Sequence, residues 1–80
     1  SVINYENDYS LYPNPFYDKL MIDCIEKCNV IKIYDIKGRL KKSSEVQNNI
    51  VTNLEDLKKG NYIISLEFKD KVITKKLIKL

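Results

Sequence analysis

The chain contains no histidine and no tryptophan. Without histidine it lacks the commonest general base and the commonest zinc ligand. Cysteine occurs only at Cys24 and Cys28. A zinc site would need further sulfur or nitrogen donors, and none exists. A cysteine nucleophile would have no imidazole to activate it. The only glycines, Gly38 and Gly60, stand alone, so there is no glycine-rich phosphate loop. No apolar run approaches the ~20 residues of a membrane helix. No basic-then-apolar signal peptide opens the chain either. The acids Asp18, Asp23, Glu26 and Asp35 lack EF-hand spacing and read as surface acids. These absences exclude most enzyme and metal chemistry, and no cofactor is expected.

What remains is a chain of 80 residues, enough for one domain or for part of a larger protein. A domain of this size hides only about 60% of its unfolded surface, so its core is single and small. A start at Ser1 without methionine reads as an excised piece or a processed product. The formal charge of +3 is uneven. Residues 1–40 carry five Lys/Arg against six Asp/Glu; residues 41–80 carry nine against five. The basic end could meet an acidic partner or a phosphate surface. On charge alone, a solvated strand face with lysines guarding a sheet edge is the favoured reading. A nucleic-acid binder is not expected, because the charge is low and no RNA or DNA motif appears.

Residues 1–10 (SVINYENDYS) are polar and without period, a linker or loosely docked tail. LYPNPF follows at 11–16 and holds both prolines, Pro13 and Pro15. Each fixes its own φ and pushes its predecessor toward extended geometry, so this is a stiff entry with a turn around Asn14. Residues 19–25 alternate, with Leu20, Ile22 and Cys24 on one face. Residues 30–36 (VIKIYDI) form a strand with apolar contact on both sides. Lys37-Gly38 signals a hairpin, and 39–46 is a polar returning strand. Asn48-Asn49 turns, and 50–53 is a short strand.

Residues 54–59 (LEDLKK) look like one short helical turn, with Leu54 and Leu57 three apart and Gly60 at its end. The clearest alternation follows, placing Tyr62, Ile64, Leu66 and Phe68 on one side. In residues 72–80 the Lys75-Lys76 pair breaks the phase, and a bulge there would restore it. About seven short strands with turns near every tenth residue predict a small antiparallel Ig-like β-sandwich.

Cys24 and Cys28 could close a disulfide across a three-residue hairpin loop. Equally, they could be two small buried thiols. Tyr34 and Tyr62 fall inside strand patterns and read as core or half-core. Tyr5, Tyr9, Tyr12 and Tyr17 gather near the N-terminal end.

Several stretches in order also carry a resemblance. They are LYPNPF (11–16), Leu20-Met21-Ile22, IYDIKGRL (33–40), LKKGNYII (57–64) and KVITKKLIKL (71–80). Together they resemble the type A C-terminal sorting domain of the type IX (Por) secretion system of Bacteroidetes. The resemblance covers residues 11–80, leaving 1–10 as a tether to an upstream cargo. The cysteine pair is no part of it. It implies a domain without catalytic activity that directs a covalently fused N-terminal cargo through the outer membrane. Its implied partners are the type IX translocon, an outer-membrane shuttle protein and a sortase-like cysteine peptidase that cuts upstream. Its implied location is the periplasm in transit, then the cell surface or the medium. Carried onto this chain, recognition falls on Gly60, Tyr62, Thr74, Lys75, Lys76, Leu77, Ile78 and Lys79, in a last strand whose lysines would project outward while Ile78 and its neighbours hold it to the core. Pro13, Asn14, Pro15, Tyr34, Asp35 and Gly38 are structural motif positions. The alternative is a carbohydrate-binding or adhesive β-sandwich, which would want exposed aromatics in a row.

Overall fold

A computed structural model of the chain describes residues 9–24 and 26–80. Among these residues seven strands form: β1 (Tyr9–Tyr12), β2 (Leu20–Cys24), β3 (Val30–Asp35), β4 (Leu40–Glu45), β5 (Ile50–Val51), β6 (Gly60–Glu67) and β7 (Val72–Lys79). They make two antiparallel sheets, ordered β1-β2-β5 and β4-β3-β6-β7. The alternation of apolar residues explains why two layers form. Ile31 and Ile33 of β3 and Tyr62, Ile64 and Leu66 of β6 point from the larger sheet into the core. Leu11, Leu20, Ile22 and Val51 meet them from the smaller sheet. Most strands bury one face and leave the other to solvent, while β4, at the far edge of the larger sheet, has no buried residue.

The turns follow from backbone chemistry. Asn48 and Asn49 both have positive φ, 55° and 60°, and the Ile50 amide donates to the Gln47 carbonyl at 3.1 Å. Two consecutive left-handed residues make the tight connection that suits strand twist. At the β3–β4 hairpin Gly38 has φ 83°. Asp35 closes this loop, with Oδ1 accepting the Lys37 and Arg39 amides at 2.9 Å each. Its Oδ2 takes the Arg39 guanidinium at 2.7 Å.

Three expectations are corrected. The first concerns residues 54–59, where no helix forms, nor anywhere else among the described residues. The Leu57 amide donates to the Leu54 carbonyl at 3.1 Å, which is a single turn. Leu54 and Leu57 are both buried and act as two plugs for the end of the sandwich. Six residues cannot offset the cost of helix nucleation, and the i, i+3 spacing serves a turn with two inward anchors equally well.

The second is the bulge in the last strand. β7 pairs with β6 in unbroken register from Gly60↔Lys79 to Glu67↔Val72. The larger sheet instead shifts register between β3 and β4, at Ile33/Tyr34. No bulge is needed because the inward series is Ile73, Lys75, Leu77 and Lys79, opposite inward residues of β6. The third follows from the same phase: Ile78 faces outward and is 46% exposed, while Lys79 is 3% exposed. Leu77, fully buried, is the residue that fastens β7 to the core.

The proline segment does more than stiffen the entry. β1 is an edge of the smaller sheet, and Phe16 forms a parallel bridge with Lys79 of the larger one. Residues 13–15 thus carry the chain from one sheet's edge to the other's, through cis peptide bonds at Tyr12-Pro13 and Asn14-Pro15. β1 begins at Tyr9, inside the span 1–10 expected to be tether; residues 1–8, with Tyr5, lie outside the described residues.

Candidate functional site: the edge strand β7

β7 is one of the two edge strands of the larger sheet, β4 being the other. Its outer edge has two unlike halves. At the C-terminal half the Ile78 amide donates to Asn14 Oδ1 at 3.1 Å. The Phe16 amide donates to the Ile78 carbonyl and the Leu80 amide to the Phe16 carbonyl, both at 2.8 Å. Ile78 therefore turns its backbone polar groups away from β6. In an antiparallel ladder these directions alternate, so Val72, Thr74 and Lys76 also present their amides and carbonyls outward. No strand among the described residues covers that half.

The side chains of the two halves differ as well. Lys76 is exposed on the outer face beside Ile63, and Lys75 is exposed on the opposite face beside Ile64. Neither makes an ion pair among the described residues. Lys79 lies along the core with its ammonium 4.7 Å from the centre of the Tyr17 ring. That ammonium also donates to the Leu80 carbonyl at 2.7 Å. A lysine stem can cover apolar surface while its head finds an aromatic face and an oxygen. This is why an inward lysine is tolerated without a bulge.

The residues picked out by resemblance fall into groups in space. Gly60 opens β6 with φ 144° and pairs with Lys79. Tyr62, opposite Leu77, packs its ring edgewise on Phe16 at 6.5 Å and donates its hydroxyl to the Lys58 carbonyl at 2.6 Å. Pro13, Asn14 and Pro15 sit beside Ile78. Asp35 pairs with Tyr62 and, with Gly38, builds the neighbouring hairpin. The opening motif, the β3–β4 hairpin, the start of β6 and the end of β7 therefore meet at one end of the sandwich. Thr74, Lys75 and Lys76 stand apart on the open edge, and Tyr34 lies half-buried on the outer face. The partnership of Phe16 and Asn14 with the last strand had no signal in the sequence, because the two segments are about sixty residues apart.

Both cysteines are free thiols. Cys24 Sγ donates to the Glu26 carbonyl at 2.7 Å, and Cys28 Sγ lies 3.5 Å from the Val30 carbonyl. Burial pushes both thiols above their ordinary pKa. The thiolate, the reactive form, is thereby disfavoured at neutral pH. Nor do the tyrosines among the described residues form a stacking row. Tyr12 and Tyr17 are exposed, Tyr62 is buried, and Tyr34 is on the far sheet face.

A compact all-β sandwich with a basic, half-open edge strand defines a recognition module more readily than a catalyst. The family model described as the secretion system C-terminal sorting domain matches residues 10–80. The chain belongs to this family. No curated protein matches the chain. Members of the family are C-terminal sorting signals of type IX secretion, and this domain serves that function without catalysis of its own. The role entails contact with the type IX translocon and its shuttle, and passage of the periplasm on the way out of the cell. No helix among the described residues is long and apolar enough to cross a membrane.

Proposed function

We propose that the open half of β7 is the surface read by the export machinery. Val72, Thr74 and Lys76 offer three residues' worth of unpaired backbone to a partner strand. Strand addition draws affinity from main-chain hydrogen bonds and specificity from the side chains that flank them. Lys75 and Lys76 lie on opposite faces of this strand, so a docking strand would meet positive charge above and below. Such charge favours an acidic partner and speeds its approach. The closed half, Leu77 to Lys79 under Asn14 and Phe16, holds the reading half in register. The observation carrying this reading is the abrupt change at Ile78 from capped to open edge.

In this scheme the sandwich from β1 onward is the sorting module, and an upstream cargo is fused through a tether that ends before Tyr9. A sortase-like cysteine peptidase cuts within that tether at the cell surface, and the cargo stays there or is released. Gly60 and Tyr62 support recognition by shaping the end of the sandwich, and Thr74 to Lys79 supply the strand itself. The test is Lys75→Glu with Lys76→Glu in an intact exported protein. Cargo should accumulate in the periplasm while the isolated domain melts at an unchanged temperature. Normal surface display of a folded double variant would overturn the reading.

A further inference from the structure

Away from the edge of β7, a groove of ≈ 400 Å³ runs between the β3–β4 hairpin and the turn before β6. Lys41, Lys58 and Lys59 line it together with Ile36, Leu57 and Tyr62. Two acids also reach this groove, and both are already neutralised. Asp35 is held by Arg39 at 2.7 Å, and Asp56 by Lys42 at 2.7 Å. The three lysines make no ion pair among the described residues, so the groove keeps a positive surplus. Its wall is apolar, and Ile36 stands 66% exposed there. The groove is also braced. The Tyr62 hydroxyl ties the Lys58 carbonyl at 2.6 Å, and Asn53, with φ 63°, turns the chain into this segment. The lysine side chains are exposed, while the backbone that carries them is fixed.

From this we infer a second docking site, for an extended acidic segment of a protein partner in which carboxylates flank one apolar side chain. The carboxylates would meet Lys41, Lys58 and Lys59, and the apolar side chain would cover Ile36. A bare inorganic anion would leave the apolar wall unused. The size lies within the range of ligand clefts, and charge complementarity selects the occupant. This site is distinct from the β7 edge, because its three unpaired lysines belong to β4 and to the turn before β6 and no residue of β7 lines it.

The test uses the whole chain and a fluorescein-labelled peptide of glutamates flanking a single leucine, followed by anisotropy. Binding should be saturable and should weaken as salt rises. Lys41→Glu with Lys58→Glu and Lys59→Glu should weaken it about tenfold or more. Lys75→Glu with Lys76→Glu should leave it unchanged. Exchanging the peptide's leucine for glycine should also weaken it. Absence of saturable binding overturns the proposal, as does equal binding by the triple variant with an unchanged melting temperature. So does a loss that follows the β7 variant instead. Full displacement by inorganic phosphate, with no contribution from the leucine, would mean a simple anion site and would also overturn it. Should the triple variant fail to fold, Lys58→Gln with Lys59→Gln is read by the same criteria.

Discussion

Lys76 and Lys79 stand three residues apart on one strand, yet one is exposed and the other is 3% exposed. Residue type cannot explain the difference. Lys76 faces outward beside Ile63, at a point where the sheet has no further neighbour. Lys79 faces inward, under a segment that reaches it from the beginning of the chain. The same contrast divides the whole strand. The half ending at Lys76 is open and basic; the half from Leu77 is packed and capped. One strand can thus be both an anchor and a signal, because the sheet alternates its side-chain faces and Phe16 covers only the end of the edge.

This contrast makes graded predictions. Phe16→Ala should have the largest effect, about 3–5 kcal/mol, since it removes a fully buried ring from the core and from the cap. Leu77→Ala should follow at about 2–5 kcal/mol. Both are read by urea unfolding, and losses near zero would show that the capped half is no anchor. Asn14→Ala leaves the Ile78 amide without its acceptor and should cost about 1 kcal/mol. Amide exchange at Ile78 should rise toward that of Lys76, which would blur the two halves. Lys76→Glu should change stability by no more than about 0.5 kcal/mol, as surface substitutions usually do. A large destabilisation there would break the comparison.

A smaller effect concerns pH and the hairpin beside β6. The Arg39 amide, then its guanidinium and the Lys37 amide, hold the Asp35 carboxyl below the usual aspartate range. A carboxyl with a lowered folded pKa stabilises the fold above its unfolded pKa. That contribution is lost as pH falls through the folded value. Melting temperatures of wild type and Asp35→Asn should therefore converge on acidification. A gap that stays constant across the acid range would refute the coupling.

Much of the fold was legible residue by residue. Tyr62, Ile64, Leu66 and Phe68 recur at every second position, and all four are buried. Gly38 and the Asn48-Asn49 pair mark turns because each takes a positive φ. Residues 54–59 misled because Leu54 and Leu57 are spaced alike for a helix and for a turn. The last strand misled because Lys75-Lys76 breaks its apolar phase, whereas the strand keeps its register and buries Lys79 instead. β1 was not legible as a strand, since its pairing lies with Cys24 to Met21 and prolines follow it directly. Of the candidate site, Asn14 and the last strand stood out in the sequence, but the bonds of Asn14 and Phe16 to Ile78 and the groove of Lys41, Lys58 and Lys59 did not, because they join segments distant along the chain.

The sequence by itself determined that this is a small β protein, where most of its strands run and which family it joins. Period-two burial and left-handed turn residues are local properties, so they can be read along the chain. The tertiary structure alone decided which lysine is buried and which edge is left open. Those outcomes depend on Asn14 and Phe16 bonding to Ile78 and Leu80 across the molecule, and no local pattern encodes a contact at that separation.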